Sequence, residues 1–109
     1  MRKVIDWKLY DTKVSTLICR ATNHSYWGDY WNERLYKTKN GVYFIAWEWG
    51  ALTEYCISLG SGTLDGSSSI WVQHSIWEIM EWFEKVSCFI IEDWEENFFR
   101  EFWDKIKEA

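Results

Sequence analysis

The spacing of hydrophobic and polar positions changes along the chain, and the change separates a strand-rich part from a helical part. Up to residue 74, short β-branched and aromatic runs are separated by turn-forming residues, which is typical of β-strands. From Ser75 onward, apolar residues recur at intervals of three and four, as in amphipathic helices. Strands followed by helices predict an α+β domain with an antiparallel β-sheet built on a central hairpin and two C-terminal α-helices.

The strongest strand signal is the segment ERLYKTKNGVYFIAWEW. Two β-rich runs flank Asn40 and Gly41, a pair favoured in two-residue type I′ turns, in which both residues have positive φ. We therefore expect a hairpin over residues 35–48. Residues 42–47 are apolar throughout, which indicates a central strand that is covered on both faces.

Other strand signals are weaker. The segment WKLYDTKVSTLICRAT alternates around residues 11–13, which fits either an opening strand pair or a strand with a bend. LTEYCISLG can add another strand, and IWVQ can return as a short one. Between them, residues 60–69, GSGTLDGSSS, have the composition of a loop.

The first helix has a clear start. Ser75 is followed three residues later by Glu78, the spacing of a capping box. The apolar residues that follow form a single stripe: Ile76, Ile79, Met80 and Phe83. These features predict a helix over residues 75–87 with one face on the sheet and Glu78 and Glu81 on the other.

A second helix is expected over residues 93–107. Asp93 and Glu96 can open it, and its apolar side would comprise Phe98, Phe99, Phe102, Trp103 and Ile106. The segment between the helices, VSCFIIED, contains neither Gly nor Pro. It fits a tight turn, a continued helix or a short strand.

Length and apolar runs limit the class of protein. The 109 residues are enough for one domain, with a β-part over about 1–74 and a helical part over about 75–109. The longest apolar run, residues 42–47, is far shorter than the roughly 20 residues needed to span a bilayer. Charged residues at positions 6, 8 and 11 interrupt any signal-peptide segment. We expect a cytoplasmic protein without a membrane partner.

The negative charge is concentrated at the C-terminal end. Residues 1–74 carry eight Lys or Arg against seven Asp or Glu, whereas residues 75–109 carry four against ten. Charge asymmetry of this kind bears on partners more than on fold. An acidic surface argues against direct nucleic-acid binding.

Candidate catalytic chemistry is sparse. The cysteines at positions 19, 56 and 88 are widely spaced among apolar neighbours, so we expect free, buried thiols. His24 and His74 lie at no metal-ligand spacing from another His or Cys, so no metal site or cofactor is predicted. A thiol-dependent enzyme that uses Cys56 with His74 is the enzymatic alternative.

The ten tryptophans divide into core and contact candidates. Trp82 flanks the apolar stripe of the first helix and Trp103 lies on the apolar side of the second, so both are expected in the core. Trp77 lies away from that stripe, on the side of Glu81 and Glu84. Four more, Trp27, Trp31, Trp47 and Trp49, cannot all be buried in so small a domain, so we expect some of them to form an exposed aromatic patch.

Three segments together resemble a family of small uncharacterised proteins that is common in bacterial phages and mobile elements. They are LYDTKVSTLI, ERLYKTKNGVYFI and GALTEY, followed by a Gly- and Ser-rich loop, a short strand and a helix. The resemblance covers roughly residues 9–87. It implies an α+β fold and a phage or mobile-element context, and it brings no catalytic residues.

The leading functional hypothesis is an inhibitor or adaptor that binds a host protein. Rows of carboxylates can occupy a basic groove built for phosphates, so a nucleic-acid-handling host protein such as a CRISPR effector is the expected partner. The candidate acidic residues are Glu78, Glu81, Glu84, Glu92, Glu96, Glu101 and Asp104. The candidate aromatic residues are Trp27, Trp31, Trp47, Trp49 and Trp77. The alternative is an aromatic platform for single-stranded nucleic acid or a small ligand.

Overall fold

The computed structural model describes residues 1–23, 29–50, 57–58, 64–65, 67–91 and 93–106, and only the backbone at positions 57–58, 64–65 and 67. The strands are β1 (Arg2–Ile5), β2 (Lys8–Asp11), β3 (Thr16–Thr22), β4 (Trp31–Lys37), β5 (Tyr43–Trp49), β6 (Ile57–Ser58), β7 (Leu64–Asp65) and β8 (Ser67–Gln73). The helices are α1 (Ile76–Val86) and α2 (Trp94–Glu101), with a 3₁₀ turn (Ser87–Phe89) between them.

A four-stranded antiparallel sheet in the order β3-β4-β5-β8 forms the centre of the fold. Two-stranded pairs, β1-β2 and β6-β7, accompany it. The β4-β5 hairpin runs in register from the pair Trp31 and Trp49 to the pair Lys37 and Tyr43. The predicted α+β fold with an antiparallel sheet on a central hairpin and two C-terminal helices is confirmed.

The apolar run in β5 is explained by its central position. Because side chains alternate along a strand, Ile45 packs into the core beneath the helices, and Phe44 and Ala46 pack on the opposite face. There they form a second core with Tyr10 of the β1-β2 hairpin, whose ring meets Phe44 edge-on at 5.5 Å between ring centroids. The strand is therefore covered on both faces, as its sequence predicts.

The predicted turn type of the central hairpin is wrong. Gly41 has φ 82°, but outside the glycines of the described chain only Asp6 and Trp7 have positive φ, so Asn40 does not. The N–H of Thr38 bonds to the carbonyl of Val42 at 2.8 Å, and the N–H of Gly41 bonds to the carbonyl of Thr38 at 3.0 Å. The hairpin therefore has a three-residue loop over residues 39–41, which ends in one left-handed Gly, and not a two-residue turn.

The opening segment forms neither a strand pair around residues 11–13 nor a single bent strand, the two arrangements that its pattern fits. Strands β2 and β3 belong to different sheets, and a turn over residues 12–15 separates them. The partner of β2 is β1, joined to it by a two-residue turn at Asp6 and Trp7 in which both residues have positive φ. This is the type I′ turn, at a position that lacks its preferred glycine.

The Gly- and Ser-rich segment contains more strand than its composition predicts. Residues 64–65 pair with residues 57–58, and β8 begins at Ser67, before the predicted IWVQ strand. Residues 67–73 pair with the whole length of β5. Backbone hydrogen bonding to a complete neighbouring strand therefore outweighs the weak strand propensity of three serines. The rest of the predicted LTEYCISLG strand lies outside the described residues.

The helices cover one face of the sheet, and α1 begins as predicted. The core beneath them contains Ile79, Trp82 and Val86 from α1 and Phe98 from α2, which confirms Trp82 as a core residue. Between the helices, the 3₁₀ turn is followed by a single antiparallel bridge between Ile90 and Ala21. The ambiguous segment thus forms a turn and one isolated bridge.

The second helix is shorter than the predicted 93–107, and its last aromatic residue is not in the core. Helix α2 ends at Glu101, and Phe102 has left the helical conformation with φ −111° and ψ 20°. Phe98 and Phe102 are buried, but Trp103 is 76% exposed and Ile106 is also exposed. Because the helix ends before these residues, Trp103 and Ile106 do not continue its apolar face, and the prediction that Trp103 lies in the core is wrong.

Candidate functional site

An exposed stripe along α1 combines an indole ring with two carboxylates. Trp77, Glu81 and Glu84 lie four and three residues apart and therefore share one face of the helix, opposite the buried residues Ile79 and Trp82. Trp77 is 76% exposed, and both glutamates are exposed. We call Trp77, Glu81 and Glu84 the α1 stripe.

Glu78 lies beside the stripe but takes part in capping the helix. Its Oε2 accepts a hydrogen bond from the backbone N–H of His74 at 2.7 Å. In return, its own N–H donates to Oγ of Ser75 at 3.3 Å. Ser75 thus caps the helix as predicted, but the Glu78 carboxylate accepts from the N–H of His74 and not from that of Ser75, as it would in a standard capping box. Replacing Glu78 would therefore disturb the helix start as well as the surface charge.

Glu101 was expected to project from the second helix into solvent, but it does not. Its Oε1 accepts hydrogen bonds from Nζ of Lys37 at 2.8 Å and from the hydroxyl of Tyr43 at 2.9 Å, and its side chain is only 20% exposed. The hydrogen bond to Glu101 raises the pKa of Lys37. Burial, followed by the interaction with Glu101, raises the pKa of Tyr43. The carboxylate therefore anchors α2 to the central hairpin.

The remaining acidic candidates have different positions. Glu96 on α2 and Asp104 beyond its end are exposed, and Glu96 borders a surface hollow with Asn97 and Arg100. Glu92 lies outside the described residues. Among the candidate carboxylates that the structure describes, Glu81 and Glu84 share a helix face with the exposed ring of Trp77, and Glu96 borders a separate hollow with the exposed ring of Trp103.

Trp47 and Trp49 are buried, which corrects the expectation of an exposed patch around them. They are 8% and 5% exposed, respectively. Alternation along β5 places them on the same side of the sheet as Ile45, beneath the helices. Their rings stack with centroids 3.9 Å apart, and Trp71 of β8 packs against them at 5.3 and 5.1 Å.

The other two aromatic candidates provide no platform in the described part of the chain. Trp31 is half-buried and meets the ring of Phe89 edge-on, with 5.0 Å between centroids. Trp27 lies outside the described residues. Among the aromatic candidates that the structure describes, Trp77 is therefore the one with a large exposed surface.

A buried carboxylate beneath α1 was not predicted. Glu33 of β4 is 9% exposed; its Oε1 accepts from Nε1 of Trp82 at 2.8 Å and its Oε2 from Nε1 of Trp49 at 3.1 Å. Alternation in the sequence WNERLYK places Glu33 on the same face as Leu35. Leu35 is fully buried, so the face that it shares with Glu33 is the core face.

Glu33 lines a groove of about 580 Å³ between β8 and α1. Trp71, which is 38% exposed, and Trp82 contribute aromatic walls. The charged side chains that border it are Glu78, Glu81 and Lys85, and His74 also lines it. Glu33 and Glu81 therefore line the same groove, and Glu81 also belongs to the α1 stripe.

Trp7 is a further exposed aromatic residue that was not predicted. It is 99% exposed at the tip of the β1-β2 hairpin, and the cross-strand pair Val4 and Leu9 is exposed behind it. A bulky residue with positive φ has a strained backbone, and the exposed ring of Trp7 makes no packing contribution to the core.

The thiols differ from one another. Cys19 is fully buried, and burial raises its pKa from 9.0 to about 12. Cys88 is exposed, which corrects the expectation that it is buried. Cys56, the nucleophile of the enzymatic alternative, lies outside the described residues. A buried neutral thiol such as Cys19 is a poor nucleophile.

Two further features of the described chain bear on function. No group of three or more His, Cys, Asp or Glu side chains in the described ranges could hold a metal ion. No helix in those ranges is long and apolar enough to cross a membrane.

Compared with protein-family models, with curated proteins and with solved structures, the chain matches none of them.

Proposed function

We propose that this chain is a non-enzymatic protein of a phage or mobile element that binds and inhibits a nucleic-acid-handling defence protein of the host. The α1 stripe is the centre of the interface. Its carboxylates enter a basic groove that otherwise holds phosphates, and Trp77 provides an apolar anchor.

The observation that carries this proposal is the 76% exposure of Trp77 on the same helix face as Glu81 and Glu84. A large exposed aromatic ring costs solubility and does nothing for the core, so a contact function is the better explanation for it. Two neighbouring carboxylates would repel phosphates, which favours a basic protein over nucleic acid as the partner. The resemblance of residues 9–87 to phage and mobile-element proteins favours a host-defence target.

The test measures the affinity for a partner that co-purifies with the tagged chain from host cells. Glu81→Lys with Glu84→Lys should weaken binding by at least about tenfold, because exposed charges that face a basic groove become repulsive. Added salt should weaken the wild-type complex, since exposed charges are screened over about 8 to 10 Å. Glu78 is left unchanged because it caps the helix.

A matched control has the same change in net charge at other exposed positions. Asp6→Lys with Asp104→Lys places two reversals outside both helices, where both residues are exposed. This variant should retain most of the affinity. Equal losses in both double variants would mean that net charge alone matters, and would contradict an interface centred on the α1 stripe.

Trp77→Ala separates the aromatic contribution from the electrostatic one. It should lower the affinity by about tenfold or more, as truncation of an aromatic hot spot does, while leaving the salt dependence unchanged. Trp103→Ala is the control because Trp103 is also 76% exposed. If Trp103→Ala lowers the affinity as much as Trp77→Ala, Trp77 is not the anchor.

A further inference from the structure

Glu33 is a buried carboxylate without a cationic partner in the described part of the chain. The ion pairs there join Arg34 to Glu48, Lys37 to Glu101 and Lys105 to Asp104, and none involves Glu33. Each Glu33 oxygen accepts one indole N–H, but an ionised carboxylate can accept about four hydrogen bonds. A buried charge of this kind is costly unless an opposite charge or further donors reach it.

The groove beside α1 gives a ligand access to this carboxylate. Glu33 lines the groove at about 91% burial, and the rings of Trp71 and Trp82 line it as well. Glu78 and Glu81 add two negative charges at its border, against one ammonium group from Lys85. The groove therefore has more acidic than basic side chains, an aromatic wall and a carboxylate with unused acceptor capacity.

These features suit a guanidinium group better than an ammonium group. A guanidinium is planar and weakly hydrated, stacks on an indole ring and donates two parallel hydrogen bonds to one carboxylate. An ammonium ion is more strongly hydrated and binds as a point charge, so it loses more on entering the groove.

We propose that the groove lined by Glu33, Trp71 and Trp82 binds a guanidinium group, supplied by an arginine side chain of the partner. The cation site depends only on this chain, whereas its assignment to the partner's arginine rests on the proposed function. Basic grooves that hold phosphates are rich in arginine, and Glu81 belongs to both the α1 stripe and the groove.

The direct test titrates the free protein with N-acetylarginine amide and follows the indole N–H resonances of Trp49 and Trp82 by NMR. Both indoles donate to Glu33, so a guanidinium bound there should shift both resonances in a saturable manner. N-acetyllysine amide should bind more weakly. N-acetylcitrulline amide, which has nearly the same shape without the charge, should give no saturable shift.

Two variants locate the site. Glu33→Gln should weaken binding of the arginine probe by about tenfold or more, because a charged hydrogen bond is lost. Trp71→Ala should weaken it by about threefold to tenfold through loss of the cation–π contact. Glu48→Gln is the control, since Glu48 pairs with Arg34 away from the groove, and it should leave binding unchanged.

Absence of a saturable indole shift with the arginine probe, or an equal shift with the citrulline probe, would overturn the proposal. If Glu33→Gln does not fold, Trp71→Ala tests the site instead, because Trp71 is partly exposed and its truncation disturbs the core less. If that variant binds the arginine probe like wild type, the groove is not the site.

The partner assay distinguishes this proposal from the proposed function. Loss of partner binding in the Glu81 and Glu84 double variant without any probe binding would leave the proposed function intact and overturn the cation site. Probe binding together with unchanged partner affinity in Trp71→Ala would overturn the assignment of the guanidinium to the partner.

Discussion

Three residues with positive φ show how differently the two hairpin turns of this chain are specified. Gly41 closes the central hairpin with the residue type that tolerates this conformation best. Asp6 and Trp7 close the β1-β2 hairpin with φ 52° and 65°, although neither is glycine. The Asn-Gly pair therefore predicts the first hairpin, whereas an Asp-Trp turn carries no comparable signal.

Removing glycine from one turn and introducing it into the other should change the free energy of unfolding in opposite directions. Gly41→Ala should lower the free energy of unfolding by about 1 kcal/mol, because an L-residue with left-handed backbone is strained and the site has no other contact within 4 Å. Trp7→Gly should raise it by up to about 1 kcal/mol through relief of the same strain. Urea unfolding of both variants measures the changes. A stabilised Gly41→Ala protein would contradict the left-handed conformation at this position.

Glu33 and Trp47 show what residue type alone does not predict. A glutamate in a strand is ordinarily exposed, and a pair of tryptophans around Glu48 suggests a surface platform. Glu33 is buried where the indole N–H groups of Trp49 and Trp82 each donate one hydrogen bond to it. Trp47 is buried against the rings of Trp49 and Trp71. These contacts join positions up to 49 residues apart, so no local sequence pattern contains them.

The thiols should differ in alkylation. In the folded protein at about pH 8, iodoacetamide should modify Cys88 and leave Cys19 unmodified, because Cys19 is buried and its pKa is raised to about 12. Peptide mapping by mass spectrometry distinguishes the two sites, and addition of urea should expose Cys19. Rapid modification of Cys19 without denaturant would contradict its burial.

At the scale of elements, the ends of helices and strands are predictable where a cap or turn residue marks them, and are not predictable elsewhere. The capping box places the start of α1 correctly, and Asn40 with Gly41 places the central hairpin. The end of α2 has no such signal, since the apolar pattern continues to Ile106 although the helix stops at Glu101. Strand β8 extends back to Ser67 because β5 provides the partner, which is tertiary information.

The anchor between α2 and the central hairpin should weaken at alkaline pH. The pKa of Tyr43 is raised above 10.0 in the folded protein, chiefly by burial and then by Glu101. This contribution to stability is fully present below pH 10.0 and is lost as the pH rises through the folded-state pKa. The raised pKa of Lys37 acts in the same direction.

Tyr43→Phe tests this anchor. The variant should lose about 1 kcal/mol of stability near neutral pH, because one hydrogen bond to Glu101 is removed. Its melting temperature should then fall less steeply than that of wild type between about pH 9 and 11, the range in which tyrosine titrates. Thermal unfolding followed by circular dichroism measures both effects. Parallel pH profiles for the two proteins would contradict the role of Tyr43.

At the scale of the whole molecule, the charge is divided between two parts of the fold. The four-stranded sheet and the hairpins belong to a segment with nearly balanced charge, and the helices belong to one with four basic and ten acidic residues. The sequence alone predicts this division. It does not predict that Glu78 caps a helix, that Glu101 anchors one, or that Glu81 and Glu84 remain beside Trp77.

Competition with nucleic acid is the most direct measurement of phosphate mimicry by the α1 stripe. The co-purified partner is bound to immobilised wild-type chain and challenged with increasing DNA or RNA of the kind that the partner handles. Displacement should follow simple competition, and the double variant Glu81→Lys with Glu84→Lys should no longer compete for the nucleic-acid site. A ternary complex in which the partner holds nucleic acid and this chain together, with undiminished affinity for each, would contradict the proposal.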